Sequence, residues 1–352
     1  MIETSAAIYR KKGKGLLIEK IYLPDPKKDE VVVKIISTGI CHSQLINLSR
    51  DPKNPELLGH EATGIIIKKG KSVKHVNVND KVIVSWMPNF NKSSTKDKSY
   101  YKPVNIFLEK RKIEAFIFTW AEKTLINSQF VTRVPKSSNS DDLSIMGCAG
   151  IAGYGTPYNC VNIKKNQSAI VVGAGGLGNL AINALKNLGC KPVIAIDIDN
   201  KKLKFSKKFG ADKFFKSNQH CIQRTKKYLN GIGADYVFDM VGSLETFNMS
   251  IKLAKECIPG KKSGGSIILV GFPKDKPSVD TRNLLMSEKK IIGSRGGSCI
   301  PHRDFKKFLT HYKNGKMKLK QIVTKKYKLN EINKALNDLK SGKILGRAII
   351  KI

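Results

Sequence analysis

The sequence predicts an α/β fold in which a doubly wound parallel sheet is inserted into a β-rich domain. Between residues 153 and 295, short buried strands alternate with amphipathic helices, which is typical of βαβ units on a parallel sheet. Residues 1–84 alternate short apolar runs with Gly, Pro and Asp, as in an all-β region such as a barrel. From residue 296 onward, the sequence no longer shows this regular strand–helix alternation and has a mixed pattern. We therefore expect one domain of residues 1–152 plus 296–352, split by a second domain of residues 153–295.

The strands of the β-rich domain are predicted from short runs of branched apolar residues. These runs are residues 31–36, 63–67, 81–84, 113–118 and 130–134. Between them, residues 89–101 are rich in Asn, Lys, Ser and Thr, and this composition predicts an exposed loop.

The inserted domain begins with the apolar run 169–172, which ends in glycines and predicts a buried strand. Leu177, Leu180, Ala181, Ala184, Leu185 and Leu188 then recur at helical spacing, and Gly189 is placed to end that helix. A strand at 193–196 and a helix at 201–209 follow, with Gly210 as its expected C-cap. Residues 236–238 and 267–270 are the later strands.

The composition excludes several classes of protein. The 352 residues are 41% hydrophobic and contain no apolar run near the roughly 20 residues that a membrane span needs. The first residues do not have the pattern of a secretory signal. Seven scattered cysteines fit a reducing compartment, so we expect a cytoplasmic protein.

The net charge of +36, from 64 Lys and Arg against 28 Asp and Glu, raises nucleic acid as a partner. The Lys pairs are spread along the whole chain, and no basic run is interleaved with aromatic residues. We interpret this charge as a solvated surface and do not expect a nucleic-acid or membrane partner.

The motif Gly173-Ala174-Gly175-Gly176-Leu177-Gly178 lies between a predicted strand and an amphipathic helix, where GxGxxG predicts a dinucleotide site. Gly173 permits a tight turn, Gly175 lets the backbone approach a pyrophosphate, and Gly178 lets helix and strand pack closely. The free N–H groups of the helix N-terminus then face the phosphates. This arrangement is the Rossmann type of doubly wound sheet.

Asp197 ends the next strand, 19 residues after Gly178, which matches the usual acidic position of this fingerprint. Its carboxylate accepts hydrogen bonds from ribose hydroxyls and repels a 2′-phosphate. The sequence therefore predicts NAD rather than NADP. Val270, at the end of a later strand, is also assigned to the cofactor.

Cys41, His60 and Cys148 form a candidate metal site, because Cys, His and Cys with an open fourth position are ligands of catalytic zinc. The three residues are far apart in sequence, so their spacing leaves alternatives open. Cys148 could be a small buried residue, and His60 a structural histidine.

The surroundings of these residues resemble the zinc-dependent alcohol dehydrogenases of the medium-chain dehydrogenase/reductase superfamily. The pattern Gly59-His60-Glu61-x-x-Gly64-x5-Gly70-x-x-Val73 matches the zinc signature of that family at every fixed position. The runs Thr38–Ser43, Gly147-Cys148 with Gly153-Tyr154-Gly155, Asp80-Lys81-Val82 and Gly346-Arg347 also resemble it. The resemblance implies a GroES-like β-barrel catalytic domain interrupted by a Rossmann domain.

The resemblance also implies roles for single residues. Cys41, His60 and Cys148 would bind one catalytic zinc ion, and Glu61 would lie beside it and enter its coordination during ligand exchange. Ser43 would hydrogen-bond the substrate oxygen and take its proton. The matched positions further imply that His42 and Arg347 contact the cofactor pyrophosphate, that Lys202 contacts a ribose, and that Trp86 lines the substrate pocket. A core role for Trp86 is an equal alternative. We expect the chain to form a homodimer or a homotetramer.

The chain departs from the family at three places. No cysteine lies between Cys41 and Cys148, and Phe90 and Ser93 stand where the first ligands of a structural zinc are expected, so we predict no structural zinc. The segment 89–112 must then be held by packing or be mobile. Ile46 replaces a proton-relay histidine of some members, and Gln44 replaces an aspartate that orients the zinc-bound histidine. Gln44 could still accept a hydrogen bond through its amide oxygen.

The predicted function is hydride transfer between a primary or secondary alcohol, or its aldehyde or ketone, and NAD. A zinc-dependent polyol or sugar dehydrogenase is the alternative on the same scaffold. A basic nucleic-acid-binding protein that has kept this scaffold is a further alternative. Trp86 and Arg295 are the candidates for residues that select the substrate.

Overall fold

The computed structural model describes residues 1–89, 102–260, 263–273 and 276–352. The chain forms two compact units. The first is Met1–Cys148, Ile300–Leu309 and Leu319–Ile352, and the second is Ala149–Cys299 and Thr310–Lys318. The second unit thus begins and ends within four residues of the boundaries that the sequence suggests, and it also takes up nine residues from the C-terminal part. The predicted polar loop lies outside the described residues except for residue 89.

The first unit contains a sheet with strand order β4-β1-β2-β7-β8. Its strands are β1 (Ile2–Tyr9), β2 (Leu16–Leu23), β4 (Glu56–Leu57), β7 (Val104–Leu108) and β8 (Arg111–Ala115). All described pairings in this sheet are antiparallel. The predicted strand at 113–118 is displaced, because Arg111 and Lys112 already pair with Leu108 and Phe107 across a hairpin.

A second sheet of this unit has the order β10-β6-β5-β3-β18-β17, and β9 also pairs with β3. Its strands are β3 (Glu30–Ile40), β5 (Ala62–Lys69), β6 (Lys81–Val84), β9 (Lys123–Asn127), β10 (Val131–Arg133), β17 (Val323–Lys328) and β18 (Arg347–Lys351). The short helices α1 (Ser43–Asn47), α2 (Ser140–Leu143), α10 (Leu319–Ile322) and α11 (Ile332–Lys340) complete the unit.

The consecutive valines of strand β3 are buried on both faces of the strand. Val31 and Val33 pack in one apolar cluster, while Val32, between them, packs in another, so the period-two alternation of a strand serves two cores. All three side chains are fully buried. Full burial of one such side chain contributes about 1.5–3 kcal/mol, so β3 anchors both cores of the unit.

The second unit is built on a parallel sheet with the order β13-β12-β11-β14-β15-β16. Its strands are β11 (Ala169–Val172), β12 (Val193–Asp197), β13 (Lys213–Lys216), β14 (Tyr236–Asp239), β15 (Ser266–Leu269) and β16 (Lys290–Gly293). Helices α3 (Thr156–Asn159), α4 (Gly176–Asn187), α5 (Asn200–Ser206), α6 (Cys221–Tyr228), α7 (Leu244–Leu253) and α8 (Thr281–Met286) belong to this unit, and α9 (Pro301–Lys313) has residues in both units. The predicted parallel α/β sheet is therefore confirmed.

The sheet of the second unit reverses its strand order at β11, which pairs with β12 on one side and with β14 on the other. Ligands of doubly wound sheets bind at the carboxyl ends of the strands at such a switch point. The predicted helix at 201–209 is α5 followed by a 3-10 turn, and Gly210 ends it with a left-handed φ of 106°. Within the described ranges, no helix has the length and hydropathy to cross a membrane.

Candidate metal centre and nucleotide-binding loop

The three candidate metal ligands converge in the first unit. Cys41 follows β3, His60 precedes β5, and Cys148 lies in a π-helix formed by Met146–Gly155. Their ligand atoms all lie within 4.8 Å of one another. The His60 Nε2 atom is 3.3 Å from the Cys148 sulfur, which is 3.9 Å from the Cys41 sulfur. In the part of the chain that the structure describes, no other His, Cys, Asp or Glu group has this arrangement.

This donor set fits a zinc ion. Zn–S bonds of about 2.3 Å and Zn–N bonds of about 2.0 Å in a tetrahedron place two sulfurs about 3.8 Å apart and a sulfur and a nitrogen about 3.5 Å apart. The observed separations of 3.9 and 3.3 Å are close to these values. Three protein ligands leave a fourth position for substrate or water, as in catalytic rather than structural zinc sites.

The two thiols have pKa values that move in opposite directions. The hydrogen bond from the Cys148 thiol lowers the pKa of Cys41 well below its usual range, and the nearby Arg347 guanidinium acts in the same direction against the effect of burial. The same hydrogen bond, together with burial, raises the pKa of Cys148 well above its usual range. The pKa of Cys41 is therefore shifted in the direction that favours a thiolate, the form of cysteine that binds metals.

Gln44 in helix α1 bridges the backbone to the candidate ligand His60. Its Oε1 accepts a hydrogen bond of 2.7 Å from the Gly59 N–H, and its Nε2 lies 3.0 Å from His60 Nδ1. Gly59 has a left-handed φ of 91°, and a side chain there would collide with Thr119 and Trp120. The amide oxygen that the sequence analysis assigned to the histidine is thus taken by the Gly59 backbone.

Arg347 and Glu61 form a buried ion pair behind the candidate ligands. The Arg347 guanidinium contacts Glu61 Oε1, and the two side chains are 4% and 0% exposed. The Arg347 guanidinium also acts electrostatically on Cys41 and helps to lower the pKa of that thiol. This pairing was missed at the sequence level, where Arg347 was assigned to the cofactor pyrophosphate and Glu61 to the metal. Residues 286 positions apart carry no sequence signal of contact.

The structure also describes the remaining candidate residues of the first unit. The Ser43 Oγ donates a hydrogen bond of 3.3 Å to the Cys41 sulfur, and His42 is an exposed residue at the start of α1. Trp86 is half-buried directly after β6. The preceding Ser85 donates a hydrogen bond of 2.8 Å to the Gly147 carbonyl, beside Cys148. Phe90 and Ser93 lie outside the described residues.

The glycine-rich loop of the second unit has the geometry that its sequence predicts. Gly173 follows β11 with a left-handed φ of 94°, and its N–H donates to the Ile196 carbonyl at 2.7 Å. A Cβ on Gly178 would lie 1.8 Å from the Gly173 carbonyl oxygen, whereas a Cβ on Gly175 would meet no atom within 4 Å. Gly178 therefore serves packing, and Gly175 leaves open space above the loop. Gly176 and Leu177 form the first turn of α4.

The start of helix α4 is arranged for an anion. Gly175 is its N-cap, no described side chain caps it, and no acidic residue lies in its first turn. The first backbone N–H groups of a helix have no partner within the helix, and the helix dipole is positive there. Together with the open space at Gly175, these N–H groups can bind a pyrophosphate.

Asp197 ends β12 and has a structural role in addition to the predicted one. Its Oδ2 accepts a hydrogen bond of 2.8 Å from the Ala174 N–H, and its Oδ1 accepts one of 2.9 Å from the Asp199 N–H. The carboxylate thus fixes the glycine loop. Its other lone pairs can accept ribose hydroxyls. Lys202 lies half-buried in α5, five residues further along the chain.

Asp239 is a residue of this site that the sequence analysis missed. At the end of β14 it accepts hydrogen bonds from the N–H groups of Val241 and Gly242, and burial raises its pKa. The Val270 N–H donates to the carbonyl of the same residue at 2.9 Å. An Asp at the end of a strand and three residues before a Gly is the signal that could have found it.

Comparisons with known proteins agree with this geometry. Residues 27–136 match the family described as alcohol dehydrogenase GroES-like domain, and residues 176–314 match the zinc-binding dehydrogenase family. The chain is 26% identical to alcohol dehydrogenase class-3 of Cereibacter sphaeroides, covering 99% of this chain and 100% of that protein. It is 27% identical to benzyl alcohol dehydrogenase of Acinetobacter calcoaceticus, with a TM-score of 0.89 and full coverage of both chains.

A second solved structure, the alcohol dehydrogenase of Aeropyrum pernix, is 25% identical, with a TM-score of 0.82 over 99% of this chain and 100% of that chain. These similarities extend over both units, so they concern the metal centre and the nucleotide loop together.

Proposed function

Because this chain belongs to the zinc-dependent alcohol dehydrogenase family of the medium-chain dehydrogenases/reductases, we propose that Cys41, His60 and Cys148 are its zinc ligands. The protein is a zinc-dependent oxidoreductase of alcohols and aldehydes that uses NAD. The convergence of the three ligand atoms within 4.8 Å carries the assignment of the ligands. The proposed substrates are primary or secondary alcohols, and the name of the benzyl alcohol dehydrogenase supports including aromatic ones.

Bound zinc supplies a Lewis acid that acidifies an alcohol oxygen, and bound NAD accepts the hydride. Ser43 takes the proton of the alcohol, since its Oγ already lies 3.3 Å from the sulfur of Cys41. His42, the adjacent exposed residue, would contact the cofactor. With position 46 occupied by Ile, Ser43 would pass its own hydroxyl proton towards solvent, without a histidine at that position, as it receives the proton of the alcohol. Trp86 lines the substrate pocket, and Glu61 acts beside the metal.

The glycine loop and the N-terminus of α4 bind the pyrophosphate of NAD. The residues assigned to this role are Gly173, Gly175, Gly176, Leu177 and Gly178, with Asp197 and Lys202 on the adenosine ribose, and Val270 and Arg347 also at the cofactor. Arg347 is buried against Glu61. It can therefore donate to the pyrophosphate only through the N–H groups that are not used in this ion pair.

We further propose a homodimer formed through the second unit. Among the strands of the described residues, β16 is an edge of the parallel sheet, and one of its sides is open for pairing. The preceding helix α8 exposes Leu285 and Met286 to 75% and 72%. An apolar surface beside an open sheet edge favours a second copy of this chain as the partner. The seven cysteines, none in a disulfide, support a reducing compartment such as the cytoplasm.

The test is to measure zinc per chain by elemental mass spectrometry on dialysed protein, followed by NAD reduction with a panel of alcohols. We expect about one zinc per chain. The panel contains benzyl alcohol, aliphatic primary and secondary alcohols, and polyols. Turnover of polyols alone would favour the polyol dehydrogenase alternative. Bound zinc with no turnover of any panel member, and RNA binding that falls steeply with salt, would favour the nucleic-acid alternative.

A further inference from the structure

The contact between Gln44 and His60 has a definite hydrogen-bond polarity. A backbone N–H can only donate, so the Gln44 atom 2.7 Å from the Gly59 nitrogen must be the amide oxygen. The amide nitrogen then lies 3.0 Å from His60 Nδ1. An amide NH₂ group has donors and no acceptor, so Nδ1 must accept, and the neutral imidazole carries its proton on Nε2.

Metal binding at this centre needs the opposite arrangement. The His60 atom that faces the Cys148 sulfur, at 3.3 Å, is Nε2. Ligation through Nε2 requires a lone pair on that nitrogen and moves the proton to Nδ1, where a ligand histidine normally donates to an acceptor. At Nδ1 this chain presents the NH₂ group of Gln44, which is a second donor.

Gln44 cannot resolve this conflict by turning its amide over. A turned amide would place its NH₂ group against the Gly59 N–H, and Gln44 is only 6% exposed, so water has little access to either donor. The Gly59 N–H shares a peptide plane with the Leu58 carbonyl, which accepts hydrogen bonds of 3.1 Å from the N–H groups of Thr119 and Trp120, so the direction of the Gly59 N–H is fixed.

We propose that Gln44 is a positioning residue that holds His60 in the tautomer opposed to zinc ligation. The zinc centre of this chain therefore binds its metal more weakly, and exchanges it faster, than a centre with a carboxylate at position 44. The inference rests on the proposed ligand set of Cys41, His60 and Cys148.

The decisive variant is Gln44→Glu, which has the same shape as the parent and presents two acceptor oxygens. One oxygen keeps the Gly59 N–H, and the other accepts a proton from His60 Nδ1. We expect zinc affinity, measured by competition with a chelator, to rise about 10- to 100-fold, the usual effect of a partner that orients a ligand histidine. Zinc release should slow in proportion.

The matched control is Ile46→Glu, which adds the same charge to the same helix at a side chain that is 38% exposed. We expect its zinc affinity to stay within about threefold of the parent, because an exposed charge is screened by solvent. Equal gains in the two variants would assign the effect to charge and overturn the proposal.

A second readout does not depend on zinc loading. Nitrogen-15 NMR of the metal-free protein at mildly alkaline pH reports which ring nitrogen of His60 carries the proton, with the signal assigned through His60→Gln. We expect a protonated Nε2 in the parent and a protonated Nδ1 in Gln44→Glu. A protonated Nδ1 in the parent would overturn the proposal. If His60→Gln bound zinc as tightly as the parent, this result would instead overturn the proposed ligand set.

Discussion

The glycine loop of the second unit and the metal centre of the first are built in opposite ways. The loop uses six consecutive residues between one strand and the next helix, and its main outside support is Asp197 on the adjacent strand. The metal centre brings together residues 88 and 107 positions apart and is supported by Arg347 near the last residue. A local site depends on the conformation of one segment, whereas a site of this second kind depends on the whole unit around it.

The largest expected effect is a loss of catalysis at the metal centre without a loss of NAD binding at the glycine loop. Cys148→Ser removes a soft ligand from the metal centre and leaves the glycine loop untouched. We expect loss of zinc and a roughly thousandfold or greater loss of alcohol oxidation, since a Lewis acid contributes several kcal/mol to such a reaction. NAD affinity, measured by fluorescence titration, should stay within about twofold because the change does not reach the loop. A large loss of NAD binding would show that the sites are not independent.

The next effect tests how far the metal centre depends on distant support. Arg347→Met leaves the buried Glu61 carboxylate without its cation. We expect the free energy of unfolding to fall by about 3–4 kcal/mol in urea, as when one partner of a buried pair is removed. The double variant Arg347→Met/Glu61→Gln is the control and should recover part of this loss. Equal losses in the two variants would mean that the ion pair is not the cause.

Two glycines of the loop test separately its packing and its binding of the cofactor. Gly178→Ala places a methyl group 1.8 Å from the Gly173 carbonyl, so we expect a loss of about 2–3 kcal/mol in the free energy of unfolding. Gly175→Ala meets open space, so its stability should change by less than about 0.5 kcal/mol. Its NAD affinity should nevertheless fall about tenfold, because the methyl group occupies the space of the pyrophosphate. Unchanged NAD binding in Gly175→Ala would contradict the role of the loop.

The smallest effect concerns the other end of the parallel sheet. Burial disfavours the Asp235 carboxylate, but the Lys255 ammonium and the N–H and O–H of Ser168 outweigh it and lower its pKa. Because the pKa is lower in the folded than in the unfolded state, the ionised carboxylate stabilises the fold at a pH above about 3.9, the pKa of Asp in an unfolded chain. This stabilisation is lost as the pH falls below that value towards the pKa of the folded state. Asp235→Asn should therefore cost about 1–2 kcal/mol at neutral pH.

Melting temperatures of the parent and Asp235→Asn should converge as the pH is lowered below about 4. NAD binding should be unaffected, since Asp235 precedes β14 at the end of the sheet away from the loop. A constant difference between the two proteins at every pH would exclude ionisation as the cause.

The same contrast explains what the sequence could predict. The strand 169–172, helix α4, the glycine loop and the end of α5 at Gly210 follow from local periodicity and glycine chemistry, and the structure has them within one or two residues. Strands β1, β2 and β7 were missed, because pairing partners far along the chain decide a strand more than local propensity does.

The proposed metal ligands were predicted through a resemblance in combined motifs, not through their spacing. Spacing alone could not bring Cys148 to His60, since the π-helix that carries it has no sequence signature of its own. The Glu61–Arg347 pair and the polarity of the Gln44 amide needed three-dimensional positions. Both depend on which atom of a side chain faces a neighbour, and the residue type alone does not decide this.

The pairing of β3 with β18 also sets an order of events during synthesis. Ile40 pairs with Ala348, so the strand that leads into Cys41 gains one of its neighbours from the C-terminal region. A ribosome that has completed residue 318 has delivered every proposed zinc ligand and the whole second unit, but not Arg347. Domains fold as units as they emerge. The second unit can therefore form while the first unit still lacks β18, and we expect zinc to be incorporated only after that strand has emerged.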